Sequence, residues 1–118
     1  MYDTAKWLER VERIVLQTCS NQNFTVDWLA ARLSLSPRQL QRRMKELTGM
    51  TPKKYITELR LQMAKTLLEE KKCKSIAQVT YEVGFQKNSY FVTLFTQRFQ
   101  MRPKDLLNNS ALKNTTKL

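Results

Sequence analysis

One apolar pattern occurs twice in this chain, and that repeat constrains the fold more than any other feature. Val26, Leu29, Ala30 and Leu33 recur as Ile76, Val79, Thr80 and Val83 at a shift of 50 residues, and Leu35 recurs as Phe85. Beyond that point the shift becomes 51. Leu40 recurs as Phe91, Met44 as Phe95, Met50 as Met101, Pro52 as Pro103 and Lys53 as Lys104. One extra residue in the second intervening turn accounts for the change. The spacing within each copy is that of an amphipathic helix, not of a strand. Each copy therefore reads as two short helices joined by a tight turn, the helix-turn-helix arrangement.

The remaining segments read as helices too. Trp7, Leu8, Val11, Ile14, Val15 and Thr18 make one stripe over residues 5–19, and SNQN at 20–23 is a loop. Thr25 is the N-cap of the next helix, which ends around Ser34, and Phe24 can staple onto Leu29. Ser34-Leu35-Ser36 is the turn. Thr51-Pro52 opens a connector over about 52–70, with one stripe of Ile56, Leu59, Met63 and Leu67 and another of Leu61, Ala64 and Leu68. Lys71, Lys72 and Lys74 form a basic loop. Ser75 with Gln78 is a second capping box, Gly84 stops that helix, and residues 88–99 form the next. Tyr90, Phe91, Phe95 and Phe99 read as its core side, and Pro103 opens a last short helix through Leu107. With only 2 Gly and 3 Pro in 118 residues, the expectation is an all-α fold of seven helices. Its segments are an N-terminal helix and loop (1–23), a first helix-turn-helix (24–51), the connector and basic loop (52–74), a second helix-turn-helix with its closing helix (75–107) and a polar tail (108–118).

The stretch SPRQLQRRMKELTG, residues 36–49, carries the chemistry. Ser36 is a good N-cap, Pro37 suits the first helical position, Gln39 completes a capping box, and Gly49 followed by Pro52 marks the far end. At about 100° per residue, Leu40, Met44 and Leu47 fall on one side, and Arg38, Gln41, Arg42 and Lys45 on the other. Arg can bond guanine O6/N7 bidentately and Gln can bond adenine N6/N7 in a DNA major groove. The alternative for this stretch alone is a solvated basic face.

The rest of the chain, its repeat above all, decides between the two, and net charge narrows the partner. At +11 it favours a polyanion: DNA, RNA or an anionic membrane. The apolar residues are spread over several short capped helices instead of one long basic amphipathic helix, and no run approaches the roughly 20 residues of a membrane span. RNA is disfavoured because side chains cannot enter its deep, narrow major groove. A connector of about 19 residues is roughly 28 Å long, which suits two reading helices about one DNA turn apart. Tyr90 and its neighbours have helical spacing, which argues against a base-stacking platform for single strands. A non-specific architectural protein would need the charge but not Arg and Gln at these positions.

Other classes lack support. There is no His, Cys19 and Cys73 are isolated, and the start shows no signal-peptide pattern, so no metal site or cofactor is expected and the thiols read as reduced, in the cytoplasm. No catalytic constellation is present. Glu9, Glu12, Glu46, Glu58, Glu69 and Glu70 mostly lie beside Lys or Arg, as surface pairs do. A protein-interaction bundle would explain neither the repeat nor the charge.

These residues resemble the DNA-binding domain of the AraC/XylS family of bacterial transcription regulators. The resemblance rests on SIAQVTYEVGFQKNSYFVTLFTQRFQMRPKDLL at 75–107 and FTVDWLAARLSLSPRQLQRRMKELTGMTPKKYI at 24–56, and it covers about residues 7–107. It implies double-stranded DNA as partner, two reading helices in successive major-groove segments, and transcription activation with RNA polymerase as a further partner. Its matched base-facing positions are Arg38, Gln41, Arg42, Asn88, Ser89 and Thr93. Two departures stand out: Thr80 replaces the small Ala usual in the second unit, and Gln100 replaces the usual Gly. The opening residues resemble output domains of hybrid two-component regulators. An excised output domain, whose sensing or dimerisation module lies outside this chain, is the expectation.

Within this frame Arg38, Gln41 and Arg42 are assigned to base edges. Lys45, a turn deeper, is assigned to phosphate with Ser36, Lys53, Lys54, Lys87, Thr96 and Lys104, several of them near helix starts. At the positions of Arg38, Gln41 and Arg42 the second reading helix has Ser89, Val92 and Thr93. There Val92 and Thr93 can touch a thymine methyl, and Ser89 can bond phosphate or base. The expectation is unequal readout: the first unit specifies bases and the second mainly anchors. Trp28 faces outward by spacing and either half-covers a neighbouring helix or meets a partner.

Overall fold

The computed structural model describes residues 4–18, 20–21 and 24–108. Among these there are seven helices and no strand: α1 (Thr4–Thr18), α2 (Val26–Arg32), α3 (Pro37–Thr48), α4 (Pro52–Glu69), α5 (Ile76–Glu82), α6 (Asn88–Phe99) and α7 (103–108). The chain divides into two compact units, the first ending at Leu59 and the second beginning at Arg60. The polar tail beyond residue 108 and Cys19 lie outside the described residues.

The first unit is α1, α2, α3 and the start of α4. Trp7, Val11, Ile14 and Val15 of α1, Leu29 and Ala30 of α2, and Leu40 and Met44 of α3 form one core with Ile56 and Leu59. Ala30 is fully buried, and its small side chain lets the helices approach closely. Thr25 caps α2 by accepting the Trp28 N–H at 3.0 Å. Phe24 packs on the same core and places its ring 5.4 Å from that of Trp28.

The second unit repeats the arrangement with larger side chains. Phe91 and Phe95 are fully buried, and the rings of Phe85, Phe91, Phe95 and Phe99 follow one another at 5.4, 5.6 and 4.8 Å. Such tilted pairs each add about 0.5–1.5 kcal/mol beyond the area they bury. Thr80 is buried where Ala30 stands in the first unit, and its hydroxyl donates to the Ile76 carbonyl at 2.7 Å. That bond removes the cost of burying a bare hydroxyl. Cys73 closes the core from the loop before α5.

The two turns share their main backbone bonds. Leu33 N–H donates to Leu29 O and Val83 N–H to Val79 O, each at 3.1 Å. Leu35 N–H donates to Ala30 O at 2.9 Å, and Phe85 N–H to Thr80 O at 3.0 Å. α2 and α5 each have 7 residues, and α3 and α6 each have 12. The added residue therefore falls in the turn and leaves the helix phases intact.

Four details differ from the sequence expectation, and a fifth, at Gln100, shows how an expected departure is accommodated. α2 ends at Arg32, because Ser34 takes a left-handed φ of 59° and breaks the helical path. α4 is not divided into two lengthwise stripes: Ile56 and Leu59 enter the first core, whereas Leu61, Ala64 and Leu68, with Met63 and Leu67 beside them, enter the second. The division runs along the helix because successive turns meet different cores. Ser75 caps α5 through the Gln78 N–H at 3.0 Å, but the Gln78 amide oxygen accepts from the Lys74 N–H at 2.9 Å. The second capping box is thus displaced by one residue. Gln100 takes the left-handed conformation, φ 58°, that Gly49 takes at φ 76° in the first unit. Tyr90 is not core: it is 53% exposed, its ring edge-on to Phe85 at 6.1 Å.

Candidate nucleic-acid interface

α3 is held at both ends before any partner arrives. Ser36 Oγ accepts the Gln39 N–H at 3.1 Å, and Gln39 Oε1 accepts the Ser36 N–H at 2.9 Å, the reciprocal capping box. Gly49 closes the other end, donating its N–H to Lys45 O at 2.9 Å. Leu40 and Met44 anchor the inner face, fully buried.

On the outer face Arg38, Gln41, Arg42 and Lys45 are all exposed. Among the described residues no hydrogen bond or ion pair engages their side chains. Their neighbours are occupied. The Gln39 amide oxygen is spent on the cap, and Arg43 turns inward with its guanidinium 5.2 Å from the Trp7 ring centroid. The helix thus separates polar groups that hold the fold from polar groups left for something external. Ser36 belongs mainly to the first kind; only its hydroxyl proton remains to be offered outward.

α6 is built differently. Lys87 is its N-cap without any side-chain capping bond, so the first backbone N–H groups carry no such partner. Asn88 and Ser89 are exposed at the start of the helix. Thr93 is exposed, but its hydroxyl donates to the Ser89 carbonyl at 3.0 Å. Val92 is half-buried. Thr96 departs from its assignment. Its Oγ1 is enclosed and has no hydrogen-bond partner, so as placed it does not reach an external phosphate. Neither hydroxyl direction was legible from sequence, because the choice of rotamer is made by local geometry.

The lysines assigned to phosphate are at the surface. Lys53 and Lys54 lie in the first turn of α4, where Lys54 N–H meets Thr51 Oγ1 at 3.3 Å. Lys87 is exposed at the start of α6, and Lys104 at the start of α7. Beside Lys104, Arg102 is spent on Asp105 at 3.0 Å, a hydrogen bond that holds the Asp105 carboxyl below the usual range. Lys71, Lys72 and Lys74 are exposed in the loop before α5. Trp28 is half-buried, with the Arg32 guanidinium 5.8 Å from its ring centroid, and so covers its own unit. Tyr81, 62% exposed on α5, is a surface aromatic that the sequence reading did not single out.

Among the described residues no helix is long and apolar enough to cross a membrane, and no group of three or more His, Cys, Asp or Glu is placed to hold a metal ion.

A family model described as a helix-turn-helix domain matches residues 29–109. The HTH-type transcriptional activator RhaS of Escherichia coli (strain SE11) is 39% identical over 83 residues, covering 69% of this chain and 30% of that protein. The chain therefore spans under a third of the length of this relative. Among solved structures, the DNA-binding domain of AdpA, described as a global transcriptional factor in complex with a target DNA, is 27% identical with a TM-score of 0.78. That match covers 91% of this chain and 96% of the other. The C-terminal domain of the two-component response regulator yesN from Fusobacterium nucleatum subsp. nucleatum is 26% identical with a TM-score of 0.74, covering 86% of this chain and 98% of the other.

Proposed function

This chain belongs to the helix-turn-helix family of AraC-type DNA-binding domains, and from that premise we propose that it binds double-stranded DNA sequence-specifically to regulate transcription. The observation that carries the reading is the outer face of α3, where Arg38, Gln41, Arg42 and Lys45 stand exposed and unengaged on a helix capped at both ends. A helix already capped at both ends spares the backbone ordering cost when its outer face meets base edges, while each long side chain still gives up about 0.5–1.5 kcal/mol of rotamer freedom. Arg38, Gln41 and Arg42 take base edges, and Lys45 takes phosphate.

α6 takes a second major-groove segment. Asn88, Ser89 and Thr93 face bases there, while Lys87 and the uncapped first turn of α6 hold phosphate, an arrangement suited to anions. Lys53, Lys54 and Lys104 add phosphate contacts at the starts of α4 and α7, and Ser36 adds its hydroxyl proton. Readout is unequal, with α3 the stronger discriminator.

The wider role follows the relatives. The Escherichia coli relative is a transcriptional activator, and the response-regulator likeness is to a C-terminal domain. We extend both to this chain: an activating output domain in the bacterial cytoplasm, in contact with RNA polymerase and governed by a sensing or dimerisation module outside this sequence. It needs no cofactor and carries out no catalytic step.

The test is selection of bound duplexes from a random pool, followed by titration against random DNA at several salt concentrations. A motif with two segments, and an Arg42→Ala variant that loses about 1–3 kcal/mol while relaxing one position, supports the reading. No motif, with Arg42→Ala changing only the salt slope, leaves a basic anchor and overturns it.

A further inference from the structure

We infer that the second reading helix recognises thymine through its C5-methyl group, so that part of its half-site is defined by carbon contacts instead of hydrogen bonds. The inference rests on the major-groove reading of α6 proposed above. Val92, Thr93 and Thr96 hold in α6 the positions that Gln41, Arg42 and Lys45 hold in α3, at the shift of 51. Two of the three are hydroxyl residues, and the structure withdraws both hydroxyls. Thr93 is exposed, yet its proton is already donated to the Ser89 carbonyl at 3.0 Å, which leaves a methyl group and an acceptor oxygen. Thr96 is half-buried with its Oγ1 enclosed, so what its side chain presents outward is carbon. Val92, also half-buried, has only carbon to present.

The face that carries an amide, a guanidinium and an ammonium in α3 is therefore a patch of methyl groups in α6. In the major groove the edges of guanine, adenine and cytosine offer donors and acceptors, of which this patch can meet only an amino group, through the one acceptor oxygen left on Thr93. Thymine alone of the four adds an apolar group, the C5-methyl. Asn88 and Ser89, at the start of the helix, remain the hydrogen-bonding residues. The reading also implies unequal discrimination: an apolar contact is worth about 0.8 kcal/mol per carbon, close to four-fold, against the larger value of a bidentate Arg–guanine pair.

The experiment replaces thymines of the selected duplex with deoxyuridine, one at a time. This removes only the methyl group. Affinity is measured by fluorescence anisotropy for the unaltered chain, Thr93→Ser and Val92→Ala. Thr93→Ser keeps the hydroxyl and its bond to Ser89, and thermal unfolding checks that both variants fold. The expected result is about a four-fold loss at one or two thymines of a single segment. It should be abolished in at least one variant, while uracil elsewhere changes little. Uracil tolerated at every position overturns the inference, as does a penalty undiminished in both variants; a two-segment motif would still leave the DNA-reading proposal standing. Selection that yields no motif overturns that proposal and this inference together.

Discussion

Ser34 and Gly84 occupy the same left-handed backbone position in the two turns, at φ 59° and 94°, fifty residues apart. The bonds around them match as well: Ser34 N–H reaches Ala31 O at 3.0 Å, and Gly84 N–H reaches Tyr81 O at 3.1 Å. Glycine takes this conformation without a Cβ clash, whereas other residues carry about 1–2 kcal/mol of strain there. Gly84→Ala should therefore lower stability by about 1–2 kcal/mol. Ser34→Gly should raise it by less than about 1 kcal/mol, because the added freedom of the unfolded chain offsets part of the gain. Urea unfolding midpoints at constant m-value decide both.

Gln39 and Gln41, two residues apart on α3, should fail in opposite assays. Gln39 holds the N-terminus of the helix through the capping box. Gln39→Ala should cost about 0.5–1 kcal/mol of stability and leave discrimination between operator bases intact. The Gln41 side chain makes no hydrogen bond among the described residues. Gln41→Ala should unfold like the unaltered chain but lose about 1–3 kcal/mol against the wrong-base comparison at one position. Paired denaturation and competition titrations would show whether the two effects separate.

Thr96→Val should stabilise the second unit by about 1 kcal/mol, since it replaces an enclosed, unpartnered hydroxyl with a methyl group of similar shape. Affinity for the selected duplex should not fall. A loss of stability would mean that the hydroxyl is hydrogen-bonded in solution, and a loss of affinity that it reaches DNA.

The Cys73 thiol gives the fold an alkaline limit. Burial pushes its pKa up first, and the Glu82 carboxylate, whose Oε2 lies 3.7 Å from Sγ, pushes it further. The unfolded thiol ionises near its ordinary value of about 8.5, and the folded one ionises at higher pH. Stability is thus undiminished below that pH, declines as pH rises past it, and levels off only beyond the raised folded value. Unfolding free energy measured from pH 7 to 10 should fall, and Cys73→Ala should flatten the decline. Tyr55, raised above 10 by burial and Glu12, responds at higher pH.

Helix ends and helix faces were legible in the sequence because each is written by residues close together. Thr25, Ser36 and Gly49 cap where their chemistry says they should, and the step from 50 to 51 places the added residue in the turn. Three things were not legible. Position 90 lies at the flank of α6, so aromatic character alone did not show that Tyr90 stays wet. α4 serves two cores in succession along its length, which its periodicity does not distinguish from two stripes around it. The hydroxyls of Thr93 and Thr96 turn on a single rotamer each, and a residue name does not record a rotamer. The exposed face of α3 could be read because Arg and Gln are long and their wheel positions leave them nowhere to be buried; the short side chains of α6 carry no such signal.

The division of labour on α3 bears on how such a protein can change over time. Leu40, Met44, Gln39, Arg43 and Gly49 hold the helix, and Arg38, Gln41, Arg42 and Lys45 do not. On the reading proposed above, substitutions in the second set should leave folding almost untouched, so lineages could explore new operators by drift at Arg38, Gln41 and Arg42 without first acquiring a stabilising mutation, while changes at Lys45 would alter affinity and not sequence preference. α6 has less of this latitude, since Val92 and Thr96 lie partly within the fold they would have to leave intact. New target preferences should therefore accumulate sooner in the first unit than in the second.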